Sequence, residues 1–440
     1  MKKVLFITYY FPPAGGSAVQ RILKFAKYLP DSNWLPVVLT AREDDYVLKD
    51  DSLSSEIPEN VNVYRIPAPD LYRWYENIGK KRSEAPADLS AIAVSKGRQE
   101  SALQRFALFV RSLLFVPDAR IAWLPQALWL GMKIARRERV DAILTSSPPF
   151  TTAFIGGLLA RFTGLPWISD YRDPWTQAYF YFRRPQPSRW IEEALEKRLL
   201  DSATRVVSIN DRINDGLRRK YGFPKDDKWV IIPNGYDPED FEDIQPMTDK
   251  HFTITYTGTL HAKMHPSPLL EAVRQLIREH RDLADNIRLN FIGRIGQDVA
   301  PMFQEPSIAE QIRWIPHLSH DECIRYVTGA DLLLLLIPNT PGHELIMTGK
   351  LFEYLRSGRP ILCLAETGEA AEIIRDASAG FTVPFDDIEQ IKNTVWEAFQ
   401  QWKHGKAILK RPIRWEQIKK YDRREHAKIL GQILDEVIGH

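Results

Sequence analysis

The chain has 440 residues, of which 44% are hydrophobic and 26% charged, a composition typical of a globular protein. This length exceeds one ordinary hydrophobic core and predicts two or three domains. A formal net charge of +2 gives no indication of nucleic-acid binding. Cys323 and Cys363 lie far apart and form no C-x-x-C pattern, which disfavours a disulfide framework and predicts a cytoplasmic protein.

The first residues, MKKVLFITYY, are similar to the start of a signal peptide. Pro12 and Pro13 cut the apolar run short, and no small-residue cleavage site follows, so we interpret it as a buried first strand. No apolar stretch approaches the roughly 20 residues that a membrane-spanning helix needs. The sequence therefore predicts a soluble chain.

Apolar strand-like runs alternate with helical periodicity in the first half, which predicts a parallel α/β sheet. Strands are predicted at KVLFITYY, LPVVLT, VNVYRI, DAILTSS, PWISDYR, TRVVSIN and WVIIPN. Helices are predicted between them, as at TTAFIGGLLARFTG and RWIEEALEKRLLDSA. Residues 83–104 are small and polar and predict a mobile insertion without function. Residues 233–250 are polar and turn-rich and predict an interdomain linker.

The pattern then restarts with HFTITYTGTLHAKMHPSPLLEAVRQLI, again a strand, a glycine turn and a helix. Further strands are predicted at IRLNFIG, IRWIPH, DLLLLLI, RPILCL and GFTVPF. Two such openings in one chain predict two Rossmann-like domains. Residues 414–439 are amphipathic and lack a following strand, so they predict one helix that braces the domain junction.

The most specific motif is TGKLFEYLRSGRPILCL, residues 348–364. Thr348 is suited to cap a helix, and the free N–H groups and dipole at that helix start attract an anion. Lys350 adds a cation there, and Glu353 lies one turn further, where its carboxylate can accept both hydroxyls of a ribose. The motif predicts a nucleoside diphosphate site; the alternative is a capped helix with a Lys350–Glu353 surface pair.

Two further motifs follow predicted strands. In YTGTLHAKMHP, Gly258 lets a ligand approach the strand end, and Thr259, Lys263 and His265 offer donors, although this motif alone favours an ordinary turn with a solvated lysine. In ISDYRDPWTQ, three charged residues crowd the carboxyl end of a strand, where α/β crevices form: Asp170, Arg172 and Asp173. Asp173 is a candidate proton acceptor or cation stabiliser. The alternative is a structural ion pair between Asp170 and Arg172.

The sequence lacks the motifs of several other enzyme classes. The glycine turn in VLFITYYFPPAGGSAVQRILKFAKYL fits neither G-x-G-x-x-G nor the P-loop pattern, which disfavours a dehydrogenase. The histidines show no metal-binding spacing, and D-x-D and G-x-S-x-G do not occur. The aromatic and basic stretches FALFVRSLLFVPDARIAWL and AYFYFRRPQPSRW are more typical of core or domain-interface residues, and they leave open a peripheral contact with a membrane or a lipid-linked substrate.

Six segments, in order, resemble the family-four retaining glycosyltransferases of the GT-B fold, which are group 1-like glycosyltransferases. The segments are FPPAGGSAVQR, DYRDPW, IPNGYDPEDF, YTGTL, FIGRIG and TGKLFEYLRSGRPIL. The resemblance implies an α/β protein with two Rossmann-like domains facing a central cleft. It implies an acceptor domain at 1–240, a donor domain at 241–410, and a helix at 411–440 that packs back on the N-terminal domain.

The resemblance also implies site residues. The donor-binding set is Gly16, Gly258, Thr259, Arg294, Thr348, Gly349, Lys350, Leu351 and Glu353. The acceptor-side set is Gly15, Gly16, Arg21, Asp170, Arg172 and Asp173. Asp173, Lys263 and Lys350 are implied to serve the reaction, with Glu353 on the ribose. The double glycine is then expected to clear space for a sugar diphosphate and acceptor.

Two positions depart from the family pattern. Thr259 stands where an arginine is common, so Lys263, Arg294 or Lys350 must supply the positive charge for the leaving diphosphate. Leu345 stands where the family often has the first of two glutamates, with Glu344 one residue away and His343 beside it. Related subgroups with a GKLFEYL helix also lack that glutamate.

The expected function is metal-independent hexosyl transfer, with no cofactor, from a nucleotide sugar to a sugar or lipid-linked acceptor. A bacterial surface polysaccharide or glycolipid pathway is implied, at the cytoplasmic side of the cell membrane and without nucleic acid. Two alternatives stay open: a GT-B-type sugar-nucleotide 2-epimerase, and a catalytically degenerate nucleotide-binding subunit.

Overall fold

The computed structural model describes residues 1–46, 48–69, 116–177, 186–316, 318–338, 340, 344 and 347–439. The chain divides into two compact units. The first comprises Met1–Pro233 and His426–His440, and the second comprises Asn234–Glu425. Each is built around one parallel sheet with helices between its strands, so the predicted α/β class with two Rossmann-like domains is confirmed.

The first unit contains a seven-stranded sheet in the described part of the chain, in the order β3-β2-β1-β4-β5-β6-β7. Its strands are β1 (Lys2–Ile7), β2 (Trp34–Ala41), β3 (Asn62–Ile66), β4 (Ala142–Ser147), β5 (Trp167–Tyr171), β6 (Arg205–Ser208) and β7 (Trp229–Ile231). The strand order reverses between β1 and β4, and crevices for ligands form outside the carboxyl ends of strands at such a switch point. The glycine loop follows β1, and the acidic motif ends β5.

The helices of the first unit are α1 (Ser17–Tyr28), α2 (Leu124–Glu138), α3 (Thr151–Thr163), α4 (Gln186–Ser202) and α5 (Asp211–Tyr221). The core also includes residues from the end of the chain, namely Ala427, Leu430, Ile433, Leu434 and Val437. These residues recur at helical spacing, so one face of the last helix completes this core.

The second unit contains a six-stranded sheet among its described residues, in the order β10-β9-β8-β11-β12-β13. Its strands are β8 (Phe252–Thr257), β9 (Ile287–Ile292), β10 (Ile312–Ile315), β11 (Leu332–Leu336), β12 (Ile361–Leu364) and β13 (Gly380–Val383). Its helices are α6 (Ser267–Glu279), α7 (Arg281–Asn286), α8 (His320–Gly329), α9 (Gly349–Ser357), α10 (Glu369–Asp376), α11 (Ile388–Lys403), α12 (Trp415–Lys419) and, running on into the first unit, α13 (Arg423–Ile438). The switch point lies between β8 and β11.

The prediction of a single C-terminal helix over residues 414–439 is wrong. The structure has two helices there, α12 and α13, which are separated at Lys420–Asp422. At the break, Tyr236 N–H donates to the Tyr421 carbonyl at 3.0 Å, and Arg423 N–H donates to the Tyr236 carbonyl at 3.0 Å. These bonds to another segment take up backbone groups that a continuous helix would pair internally.

The stretch predicted as a linker, 233–250, is packed at its start rather than free. Tyr236 and Asp237 are 5% and 1% exposed, and a 3₁₀ turn spans Pro238–Phe241. The predicted mobile insertion at 83–104 lies outside the described residues. No helix in the described part of the chain combines the length and the apolar character needed to cross a membrane.

Candidate functional site

Lys350 stands in the first turn of α9 and reaches back to the end of β8. Its Nζ donates to the Tyr256 hydroxyl at 3.0 Å and lies 4.1 Å from the centre of that ring. A Cβ added to Gly258 would lie 2.5 Å from the same Nζ, so the missing side chain is what admits the ammonium. Gly258 also has φ +123°, a conformation that glycine adopts without strain.

Burial lowers the pKa of Lys350 to about 7, although the Glu353 carboxylate opposes the shift. The cause is desolvation, which disfavours the charged form of an amine. A bound anion at this helix start would favour the charged form.

Glu353 lies one turn along α9 and contacts a residue from a different helix. Its Oε1 is 3.1 Å from Nε2 of His320, the first residue of α8, and Nδ1 of His320 is 3.9 Å from Oδ2 of Asp240. Burial by itself would raise the pKa of Glu353, but His320, Arg423 and Lys350 outweigh it and hold that pKa below its usual value. Glu353 is therefore an ionised, largely buried acceptor rather than half of a surface pair with Lys350.

Tyr354 ties α9 to the strand that precedes the glycine turn. Its hydroxyl accepts from the Thr257 N–H at 2.9 Å and lies 3.2 Å from the Thr257 hydroxyl. Thr348 occupies the predicted N-cap position with an extended backbone, but its side chain makes no capping hydrogen bond. Among the described residues, the buried Thr348 hydroxyl has no hydrogen-bond partner. The predicted capping role of its side chain is thus absent.

The predicted donor-side residues of the second unit lie at this helix start or follow β8 and β9. Gly349 begins α9, and Leu351 is fully buried, with its N–H donating to the Thr348 carbonyl at 3.2 Å. The Thr259 carbonyl accepts from the Tyr256 hydroxyl at 3.0 Å. Arg294 is exposed after β9, and Lys263 lies in a turn closed by hydrogen bonds between His261 and Met264.

The loop before α9 contains the position of the absent first glutamate. Glu344 is exposed, and its Cα would lie 3.0 Å from a Cβ on Gly368. His343 and Leu345 lie outside the described residues. The expected substitution of Glu344 or His343 for the missing glutamate stays a prediction.

In the first unit, the double glycine lies between β1 and α1. Gly15 donates its N–H to the Leu48 carbonyl at 2.9 Å, and a Cβ on Gly15 would lie 3.0 Å from Leu48 Cγ. Gly16 is exposed at the N-cap of α1 with φ +95°, and no side chain caps that helix. The first N–H groups of this twelve-residue helix therefore receive no hydrogen bond from a capping side chain, because the N-cap residue is a glycine.

Arg21 and Asp170 form a buried ion pair that joins α1 to the end of β5. Arg21 donates to both oxygens of Asp170, with its Nη2 2.7 Å from Oδ1, and the two side chains are 5% and 1% exposed. The Ser146 hydroxyl donates to the second Asp170 oxygen at 2.8 Å. The alternative pairing of Asp170 with Arg172 is wrong, because Arg21 takes that place.

Arg172 instead fixes the backbone around the glycine loop. Its guanidinium donates to the Ala18 carbonyl at 2.6 Å and to the Pro148 carbonyl at 2.7 Å. Asp173 follows it with a side chain that is 59% exposed and lies 3.9 Å from Arg172 Nε. The fold therefore brings the glycine loop and the acidic motif together. The exposed Asp173 follows Arg172, whose hydrogen bonds hold this turn in place.

A buried carboxylate that the sequence did not single out supports this turn. Glu196 of α4 is 1% exposed and accepts hydrogen bonds from the hydroxyls of Tyr171, Thr176 and Tyr221. Burial and the Glu196 charge raise the pKa of Tyr171 and of Tyr221, so both phenols stay protonated and can donate. Only the fold reveals this network, because its members come from separate elements.

In the second unit the sequence reading missed the roles of Tyr256, Tyr354, Asp240 and His320. Tyr256 lies in the motif YTGTLHAKMHP and Tyr354 in TGKLFEYLRSGRPILCL, so their closeness in sequence to the predicted residues could have indicated them. Asp240 lies in the segment taken for a linker. His320 carries no metal-ligand spacing, and no local pattern indicates its contact with Glu353.

Residues 16–235 match the Glycosyl transferase 4-like domain family, and residues 251–401 match the Glycosyl transferases group 1 family. Among solved structures, sucrose-phosphate synthase from Thermosynechococcus elongatus is similar, with TM-score 0.66, 14% identity and all of both chains covered. HepE from Anabaena in complex with UDP gives TM-score 0.63 and 12% identity, over 99% of this chain and 100% of that chain. A putative UDP-N-acetylglucosamine 2-epimerase from Listeria monocytogenes gives TM-score 0.57 and 13% identity, over 98% and 96%. No curated protein matches at a significant level.

The likeness to these structures assigns the fold, and the two matched families assign the class of protein. The chain belongs to the group 1 glycosyltransferases of the GT-B fold, whose reaction is the transfer of a sugar from a nucleotide sugar. The predicted family resemblance is confirmed.

Proposed function

We propose that the protein is a retaining, metal-independent hexosyltransferase that moves a sugar from a nucleotide diphosphate sugar to a hydroxyl acceptor. The observation that carries the proposal is the pairing on α9 of a buried cation at the helix start with an ionised carboxylate one turn on. These are the groups that a diphosphate and a ribose require. Lys350 contacts Tyr256 near the end of β8, beside the switch point of the second sheet.

In the second unit, Glu353 would accept the ribose hydroxyls. The start of α9, from Thr348 to Lys350, would face the diphosphate. Lys263 follows the glycine turn after β8 and Arg294 the glycine turn after β9, and both are candidates to supply further positive charge. As the bond between the sugar carbon and the leaving oxygen breaks, charge builds on the diphosphate. A helix N-terminus and lysines stabilise that charge without a metal ion.

The first unit would bind the acceptor. The acceptor oxygen forms the new bond to the sugar carbon, and its proton passes to the departing phosphate late in the reaction. The exposed Asp173 would orient the acceptor or stabilise positive charge at the sugar carbon.

We also propose that the acceptor is a sugar or a lipid-linked sugar in a bacterial surface polysaccharide or glycolipid pathway, used at the cytoplasmic face of the membrane. Three helices of the first unit expose large aromatic side chains: Trp129, Phe162 and Trp190 are 55%, 61% and 64% exposed. The Lys133 ammonium lies 3.6 Å from the centre of the Trp129 ring. Cosedimentation with phosphatidylglycerol vesicles, compared with phosphatidylcholine vesicles, tests this contact.

The function is tested by thermal shift with UDP, GDP, ADP, dTDP and their common sugars, with and without EDTA. We expect one nucleotide family to stabilise the protein, EDTA to have no effect, and Glu353→Ala to weaken binding by about 1 to 3 kcal/mol. With the donor so identified, the anomeric configuration of the product by NMR tests retention. Epimerised nucleotide sugar without an acceptor would support the 2-epimerase alternative, and no binding at millimolar nucleotide would support the degenerate subunit.

A further inference from the structure

His320 connects three segments that are distant in sequence. It begins α8, where Ser319 and Glu322 form a capping box that fixes the helix start. Its two ring nitrogens face two carboxylates, Glu353 at 3.1 Å and Asp240 at 3.9 Å. The three side chains are 15%, 20% and 11% exposed, so solvent reaches this contact only in part.

We propose that His320 is a positioning residue that turns the Glu353 carboxylate toward both hydroxyls of the donor ribose, and thereby makes the site select ribonucleotides over 2′-deoxyribonucleotides. The proposal deepens the function proposed above and rests on it, since it requires a nucleotide at Glu353. The family resemblance concerns Glu353 alone; the assignment of His320 and Asp240 comes from the geometry of this chain.

The chemistry of the contact supports a positioning role. Nε2 of His320 lies 3.1 Å from Glu353 Oε1, within hydrogen-bond distance, whereas Nδ1 faces Asp240 Oδ2 at 3.9 Å, too far for a direct hydrogen bond. The bond to Glu353 uses Oε1, and an ionised carboxylate has further acceptor positions on both oxygens. Pinning one oxygen fixes the plane of the group, so the other positions point in a defined direction.

Two hydroxyls on adjacent ribose carbons can bind one carboxylate together only when its plane matches theirs. A carboxylate held in that plane gains two charge-assisted bonds from a ribose and one from a 2′-deoxyribose. A carboxylate free to rotate must give up rotamer freedom for each bond. Loss of His320 should therefore cost the ribonucleotide more than its deoxy counterpart.

The test is calorimetric titration of the full chain with three nucleotide pairs: UDP and dUDP, GDP and dGDP, ADP and dADP. We expect wild type to bind the ribo form of one pair about tenfold more tightly than the deoxy form, as one lost charge-assisted bond implies. His320→Leu should bring this ratio to about 1 to 3 by weakening mainly the ribo form. His320→Gln, which keeps a donor near the position of Nε2, should retain most of the ratio.

A general loosening of the site would weaken both members of a pair and leave the ratio unchanged, so the ratio separates positioning from structural support. Asp240→Asn gives a second route should the His320 variants fail to fold; it should lower the ratio with a smaller effect on stability. A wild-type ratio in His320→Leu, or a wild type that prefers a deoxy form, overturns this proposal alone. Failure of wild type to bind any of the six nucleotides overturns this proposal, and failure to bind dTDP as well overturns the proposed function.

Discussion

Asp170 and Asp173 are three residues apart and have opposite environments. Asp170 is 1% exposed and held by Arg21 and Ser146, whereas the Asp173 side chain is 59% exposed. Sequence reading placed both on the acceptor side without separating them. Burial divides their environments: Asp170 holds α1 to β5, whereas the Asp173 side chain is exposed to solvent.

Asparagine substitutions should separate these roles. Asp170→Asn leaves the buried Arg21 without its counter-charge and should lower the free energy of unfolding by about 3 to 5 kcal/mol. Asp173→Asn should leave stability unchanged within about 0.5 kcal/mol and reduce kcat by about 100-fold or more, if it serves the reaction. Thermal unfolding and transfer assays check both, and wild-type kcat in Asp173→Asn would remove that residue from the mechanism.

Lys350 gives the protein a pH dependence with a definite sign. An unfolded lysine keeps its proton up to about pH 10.4, whereas burial lowers the pKa of the folded group to about 7. Between these values the unfolded state binds more protons, so the stability of the folded state rises with pH. Below pH 7 the charged, desolvated ammonium costs its full destabilisation.

Lys350→Met should therefore stabilise the protein most at pH 6, by about 1 to 3 kcal/mol, with a gain that shrinks toward pH 10. The same change should abolish binding of a nucleotide sugar, whose diphosphate does not titrate near neutrality. Wild type should bind that ligand more weakly as pH rises above 7. Denaturant unfolding and calorimetry at pH 6, 7.5 and 9 check these trends; a stability gain independent of pH would contradict them.

At the scale of elements, both units open with a strand, a glycine turn and a helix, and the turns differ in what crowds them. A Cβ on Gly258 would lie 2.5 Å from Lys350 Nζ, whereas a Cβ on Gly16 would meet only Leu48 Cδ2 at 3.7 Å. Both glycines have positive φ, at +123° and +95°. A side chain at either glycine would therefore strain the backbone. Only a side chain at Gly258 would also collide with the Lys350 ammonium.

Alanine at the two glycines should distinguish strain from collision. Each substitution should cost about 1 to 3 kcal/mol of stability for the backbone conformation. Gly258→Ala should also displace Lys350 and weaken nucleotide binding at least about tenfold, which corresponds to 1.4 kcal/mol. Gly16→Ala controls only for backbone strain in the stability measurement, because the family resemblance includes Gly16 in the donor-binding set. The control for nucleotide binding is Gly164→Ala, since Gly164 has φ +75° and an added Cβ there would have no described atom within 4 Å. Equal nucleotide affinity in Gly258→Ala and Gly164→Ala would show that Lys350 does not depend on Gly258.

At the scale of the whole molecule, the chain returns to the first unit at its end. Ile433 and Leu434 are 4% and 0% exposed in the core that also contains Trp34, and the Trp34 indole donates to Asp435 at 3.0 Å. Ile429, on the same helix, is 37% exposed. The first unit is therefore complete only with residues that follow the second.

Leu434→Ala should lower the free energy of unfolding by about 2 to 5 kcal/mol, because it opens a cavity in this core. Ile429→Ala is the control and should cost less than about 1 kcal/mol. Hydrogen exchange should show the loss in β1 and β2, two of the strands that share this core. Equal effects of the two substitutions would mean that α13 is not part of it.

The sequence by itself determined the strand pattern, the two strand–glycine–helix openings and the Lys350–Glu353 spacing, because these depend on local periodicity and on neighbours within one helical turn. The tertiary structure alone decided that Arg21 rather than Arg172 pairs with Asp170, that the C-terminal helix breaks beside Tyr236, and that His320 holds Glu353. Each of these is a contact between segments far apart in the chain. Such contacts depend on which sheet edges and helix ends the fold brings together, and local sequence patterns do not indicate which distant segments will meet.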